Sequence, residues 1–99
     1  TDLPTHFSLD QNYPNPFNPA TTISFSLPSK SFVSLKVFDA LGREVSIFLS
    51  EQLHAGTYSL QWNAGGLPSG VYFCRLVANA ILSGQAGSFT ETKKLVLLR

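Results

Sequence analysis

Thr57-Tyr58-Ser59-Leu60-Gln61-Trp62 alternates strictly between polar and apolar side chains. A period of two puts each set on its own side of an extended backbone, so the segment reads as a half-buried β-strand with Tyr58, Leu60 and Trp62 facing a core. The pattern recurs from Thr22 to Leu27 and from Phe32 to Phe38, where Val33, Leu35 and Val37 share a face. Asp39-Ala40-Leu41-Gly42-Arg43 then reads as a tight reversal, Asp39 capping its own turn and Gly42 supplying a positive φ, before a strand from Glu44 to Leu49. Val71 to Ala78 is apolar at both parities except at Arg75, the signature of a central strand covered on each side, and Glu91 to Leu98 supplies the last strand. Between them, Ser50 to Ala55 is polar, Asn63 to Gly70 is dense in turn-formers, and Asn79 to Ser88 is small and glycine-rich. No segment repeats apolar residues at helical spacing. Six or seven short strands with breaks about every ten residues predict an all-β sandwich with Greek-key connections, a small barrel being the alternative.

Upstream of the first strand runs Asn12-Tyr13-Pro14-Asn15-Pro16-Phe17-Asn18-Pro19. Each proline fixes φ and removes a backbone donor, and each residue before a proline is pushed out of the α region, so neither helix nor strand interior accommodates the run. It is expected to be a stiff, extended lead-in that pins Phe17 against the first strand pair, with Tyr13 assisting.

Ninety-nine residues form one domain, which buries roughly two-thirds of its unfolded surface. Seven basic residues against six acidic ones lack the excess of a nucleic-acid binder. The longest apolar runs, Ala80 to Leu82 and Leu95 to Leu98, fall far short of the ~20 residues of a membrane helix, so no membrane insertion is expected. Cys74 is the only cysteine, which excludes an internal disulfide and a cysteine-based zinc cluster; in an apolar strand it reads as a small core residue. Methionine is absent, from which a module processed out of a longer protein is expected: residues 1–8 the end of an upstream linker, residues 9–99 the domain.

Catalytic readings find little purchase. His6, His54, Asp10 and Asp39 allow a hydrolase triad on paper, but no serine sits in a nucleophile-elbow pattern, and His54 lies in a polar loop as a solvated histidine does. The histidines lack ligand spacing, and Asp10, Asn12, Asn15 and Asn18 read better as turn caps than as a calcium loop. No enzyme activity and no cofactor are expected. A sugar platform needs solvent-facing aromatics, whereas Phe25, Tyr58, Trp62 and Phe73 occupy core parity; Phe38, Phe48 and Tyr13 remain as an exposed contact patch. An accessory carbohydrate- or protein-binding module of an extracellular enzyme is therefore the alternative function.

One ordered set of motifs spans nearly the whole chain. It comprises the Asn12 to Pro19 run with Thr21-Thr22-Ile23; Val37-Phe38-Asp39-x-x-Gly42-Arg43-x-Val45; Ala55-Gly56 and Trp62; Ser69-Gly70-Val71-Tyr72-Phe73; and Thr92-Lys93-Lys94-Leu95-Val96-Leu97-Leu98. Across residues 9–99 the chain closely resembles the type A C-terminal sorting domain of the type IX secretion system of Bacteroidetes. It shares fewer signals with the immunoglobulin-like domain of flagellar hook-capping proteins, a structural spacer. The resemblance implies an immunoglobulin-like antiparallel sandwich of about seven strands that follows a passenger protein in the same chain. It further implies passage through the periplasm to the outer-membrane surface or medium, recognition by the type IX translocon, and removal by a sortase-like surface protease cutting in or before Thr1 to Thr5. By family position, Lys93, Lys94, Leu95, Val96 and Leu97 are the recognition candidates. Asn12, Pro14, Asn15, Pro16, Phe17, Asn18, Pro19, Asp39, Gly42, Arg43, Gly56, Trp62, Gly70 and Tyr72 are the motif residues that hold the fold. A final strand at the sheet margin is expected to offer an open edge for a second chain or a receptor.

Overall fold

The computed structural model describes residues 4–81 and 87–99, and among them holds strands and no helix. In chain order they are β1 (Ser8–Leu9), β2 (Ala20–Leu27), β3 (Ser31–Asp39), β4 (Glu44–Leu53), β5 (Gly56–Asn63), β6 (Gly70–Ala80) and β7 (Ser88–Leu97). They form two antiparallel sheets, ordered β1-β2-β5 and β4-β3-β6-β7. The chain changes sheet between β2 and β3, β4 and β5, and β5 and β6, which is the Greek-key wiring of an immunoglobulin-like sandwich.

Each alternating strand buries one parity. Ile23, Phe25 and Leu27 of β2 meet Val33, Leu35 and Val37 of β3 and Tyr72, Cys74, Leu76 and Ala78 of β6 in a single core. Trp62 of β5 sits at one end of it among rings from three other segments, with centroids 5.6 Å from Phe17, 5.8 Å from Phe48 and 6.2 Å from Tyr72. Phe25 and Tyr58, cross-strand partners, stack at 5.2 Å.

Three expectations are corrected. Strand β6 is covered on one side only, and Phe73 lies on its outer face. The strict alternation of β3 decides this: Cys74 pairs with Val37 and Leu76 with Leu35, so Phe73 goes outward beside Phe38. Strand β4 continues through Ser50 to Leu53, because Ser31 to Ser34 provide hydrogen-bonding partners for that polar stretch. Its pairing with β3 shifts register twice, leaving Val45 and Phe48 as extra residues that both turn inward against the core, which takes Phe48 out of the expected contact patch. Ahead of the proline run, Ser8–Leu9 pairs with Ser26 and Phe25 as a short strand, and Phe7 stacks on Phe89 at 5.4 Å. Of the connection expected between Asn79 and Ser88, positions 82–86 lie outside the described residues, as do positions 1–3.

Candidate recognition surface

The proline-asparagine run is not extended. It leaves the first sheet where Tyr13 bridges Thr22, crosses to the second sheet where Phe17 bridges Leu97, and returns to β2. All three X–Pro peptide bonds in it, preceding Pro14, Pro16 and Pro19, are cis. Because three prolines leave the run few donors, the asparagines and Thr21 organise it. Buried Asn12 donates through Nδ2 to Pro14 O at 3.2 Å and to Thr21 Oγ1 at 2.9 Å, and Thr21 Oγ1 donates to Pro14 O at 2.8 Å. Phe17, 2% exposed, fills the end of the core against Trp62, whereas Tyr13 is 81% exposed and holds the loop to β2 through its backbone, not its ring. Ala64 N–H closes the loop by donating to Pro19 O at 2.8 Å. Pro16 and Asn18 stand exposed between these anchors.

This loop lies along β7. Phe17 N–H donates to Val96 O at 2.9 Å, Leu98 N–H to Phe17 O at 3.0 Å, and Val96 N–H to Asn15 Oδ1 at 2.9 Å. Gln11 Nε2 donates to Lys94 O at 2.8 Å and to Asn12 Oδ1 at 2.7 Å. The outer edge of the final strand is therefore occupied from Lys94 to Leu98, not open as expected. Farther up, Leu9 N–H donates to Glu91 Oε1 at 3.1 Å, which ties β1 to the same strand.

The five recognition candidates divide by parity. Leu95 and Leu97 are 0% exposed core residues. Lys93, half-buried on the same side, pairs with Glu91 at 3.1 Å. Lys94 is exposed and Val96 half-buried on the outer face, where Lys94 neighbours Phe73 and Val96 neighbours Val71. Alternation could have separated these two sets in advance. The roles of Gln11 and Glu91 left no such signal, since their partners lie about eighty positions away in sequence.

The other motif residues sit at turns and corners. Asp39 Oδ1 accepts the N–H groups of Leu41 and Arg43, both at 2.9 Å, and Oδ2 accepts Arg43 Nε at 2.9 Å. These bonds, the Arg43 N–H foremost, hold the Asp39 carboxyl below its ordinary pKa against the opposing effect of desolvation. Gly42, at φ +86°, completes the reversal with its N–H on Asp39 O. Tyr72 Oη donates to Pro68 O at 2.7 Å, which is a tyrosine corner at the start of β6 just after Gly70. Tyr58 repeats the device after Gly56, donating to His54 O at 2.7 Å. Cys74 is buried, and desolvation pushes its thiol pKa up to about 12. The expected aromatic patch dissolves: Phe48 packs on Trp62, Phe38 lies on the second sheet, and Tyr13 stands alone at the rim of the first.

The model of a protein family described as a secretion system C-terminal sorting domain matches residues 11–97, from the glutamine that holds Lys94 to the last residue of β7. No curated protein matches the chain. With the lead-in and strands β2 to β7 all inside the matched span, the chain belongs to the secretion system C-terminal sorting domain family, the sorting signal of type IX secretion, which directs proteins to the cell surface or medium.

Proposed function

We propose that this domain is the export address of a passenger protein in the same chain, and a substrate of the machinery, not a catalyst. The translocon recognises it through the Lys93 to Leu97 segment of β7, with Lys94 and Val96 presenting side chains and Leu95 and Leu97 setting the strand in place. A sortase-like surface protease then separates it from the passenger at the outer membrane, cutting in or before Thr1 to Thr5. The family match over residues 11–97 carries the reading. The position of the cut is supported by packing: Phe7 is stacked on Phe89 and Leu9 is buried, whereas Thr5 and His6 just before them are exposed.

A neutral reporter with a signal peptide, fused ahead of this chain in a type IX-competent host, is expected outside the cell. Periplasmic retention of the intact fusion sinks the proposal. Lys93→Ala with Lys94→Ala is expected to reduce export while leaving the melting temperature near that of the parent; unchanged export moves the recognition element off the lysine pair.

A further inference from the structure

The two outer faces of the sandwich differ in chemistry. On the first sheet, Thr22, Ser24 and Ser26 of β2 stand opposite Gln61, Ser59 and Thr57 of β5, a surface without cations in these two strands whose hydroxyls bond one another, as Ser24 and Ser59 do at 2.9 Å. On the second sheet, Phe38 of β3 lies beside Phe73 of β6, which lies beside Lys94 of β7; one step along, Val71 lies beside Val96. Arg75 places its guanidinium 4.6 Å from the centre of the Phe38 ring. Lys36 on this face is balanced by Glu44 at 3.3 Å, and Asp39 at its margin by Arg43, but among the described residues neither Arg75 nor Lys94 is ion-paired. A depression of about 320 Å³ opens between Phe73, Arg75, Thr92 and the turn after Asp39.

We infer that this outer face, centred on Phe38, Phe73, Arg75 and Lys94, is where an acidic protein of the export machinery docks, one whose carboxylates flank an apolar contact. The inference rests on the sorting function proposed above and adds which face is read and the charge of its reader. Among the described residues of this face the unbalanced charge is wholly positive and borders an apolar centre, the arrangement that steers a complementary surface and then excludes water. A glycan fits less well, because the Phe38 ring on which a sugar would stack is already covered by Arg75.

The test uses the same reporter fusion with Arg75→Glu and Lys94→Glu together, against a control carrying Thr57→Glu and Gln61→Glu on the opposite sheet. Thermal melts of each purified fusion confirm folding. Export by the first variant is expected to drop about tenfold or more, as loss of close charge pairs does, while the control exports like the parent. Should the reversal unfold the domain, Arg75→Gln with Lys94→Gln, which keep long side chains, carries the same comparison. Parental export from the folded reversal or neutral variant overturns the docking face and leaves the sorting function standing. If the parent fusion itself stays inside, the sorting function falls and takes this inference with it. Parental export combined with binding to dextran sulfate that the reversal abolishes assigns the face to an anionic glycan and overturns the acidic protein partner.

Discussion

Asp39 shows how much one half-buried side chain can organise. Its carboxylate accepts from two backbone N–H groups and from the Arg43 guanidinium, so the turn between β3 and β4 is built around a negative charge. Its folded pKa is lowered, so its contribution is complete above the unfolded value of about 3.9 and is lost as pH falls through the folded one. Denaturant midpoints are expected to fall as pH drops below about 4, and Asp39→Ala should flatten that acid limb; an identical slope in the variant refutes the assignment. Cys74 behaves in the opposite sense. A thiol whose folded pKa is about 12 stays neutral in the core, so its contribution is present below the unfolded value and is lost as pH rises from there towards 12. Native protein is expected to resist thiol reagents and to label only on unfolding. Cys74→Ser, which buries a hydroxyl where no partner waits, should cost about 1–3 kcal/mol in urea titrations.

At the scale of elements, β7 and the loop beside it form one unit. Four hydrogen bonds from Gln11, Asn15 and Phe17 occupy the strand's outer edge between Lys94 and Leu98, where an uncovered edge would invite pairing with another chain. Asn15→Ala removes only the acceptor of the exposed Val96 amide, so hydrogen exchange at Val96 should quicken while global stability changes by about 1 kcal/mol or less. Phe17→Ala also empties the end of the core, and about 3–5 kcal/mol should be lost. Within β7, Leu95→Ala or Leu97→Ala is expected to cost about 2–5 kcal/mol, whereas Lys94→Ala should stay within about 0.5 kcal/mol. A comparable loss at Lys94 means that its side chain holds the fold.

Across the whole molecule, Trp62 gathers Phe17 of the lead-in, Phe48 of β4 and Tyr72 of β6, so its fluorescence reports the docking of both sheets and the loop together. Unfolding followed by tryptophan fluorescence and by far-ultraviolet circular dichroism should give coincident transitions. An earlier fluorescence transition means that the lead-in detaches as a separate unit. The matched family span begins at Gln11, which bonds Lys94, and ends at Leu97, which bridges Phe17, so its two ends lie side by side at one margin of the second sheet.

The positions of most strands, the Asp39 turn and the inward faces of β2, β3 and β5 were legible in the chain itself. Period-two alternation and turn chemistry depend on residues only a few places apart, and the family's motifs follow the same order. What only the tertiary structure decided involves partners far apart or patterns that do not alternate. Apolar at both parities, β6 had its inner face chosen by register with β3, which sent Phe73 outward to Phe38. The bulges that turned Val45 and Phe48 inward arise from pairing, not from composition. The lead-in was legible as proline-stiffened and irregular, but that it folds back to cover the edge of β7 depended on acceptors and donors about eighty residues away. No local pattern encodes a contact of that span, and its place on the strand was settled when the two sheets closed on their common core.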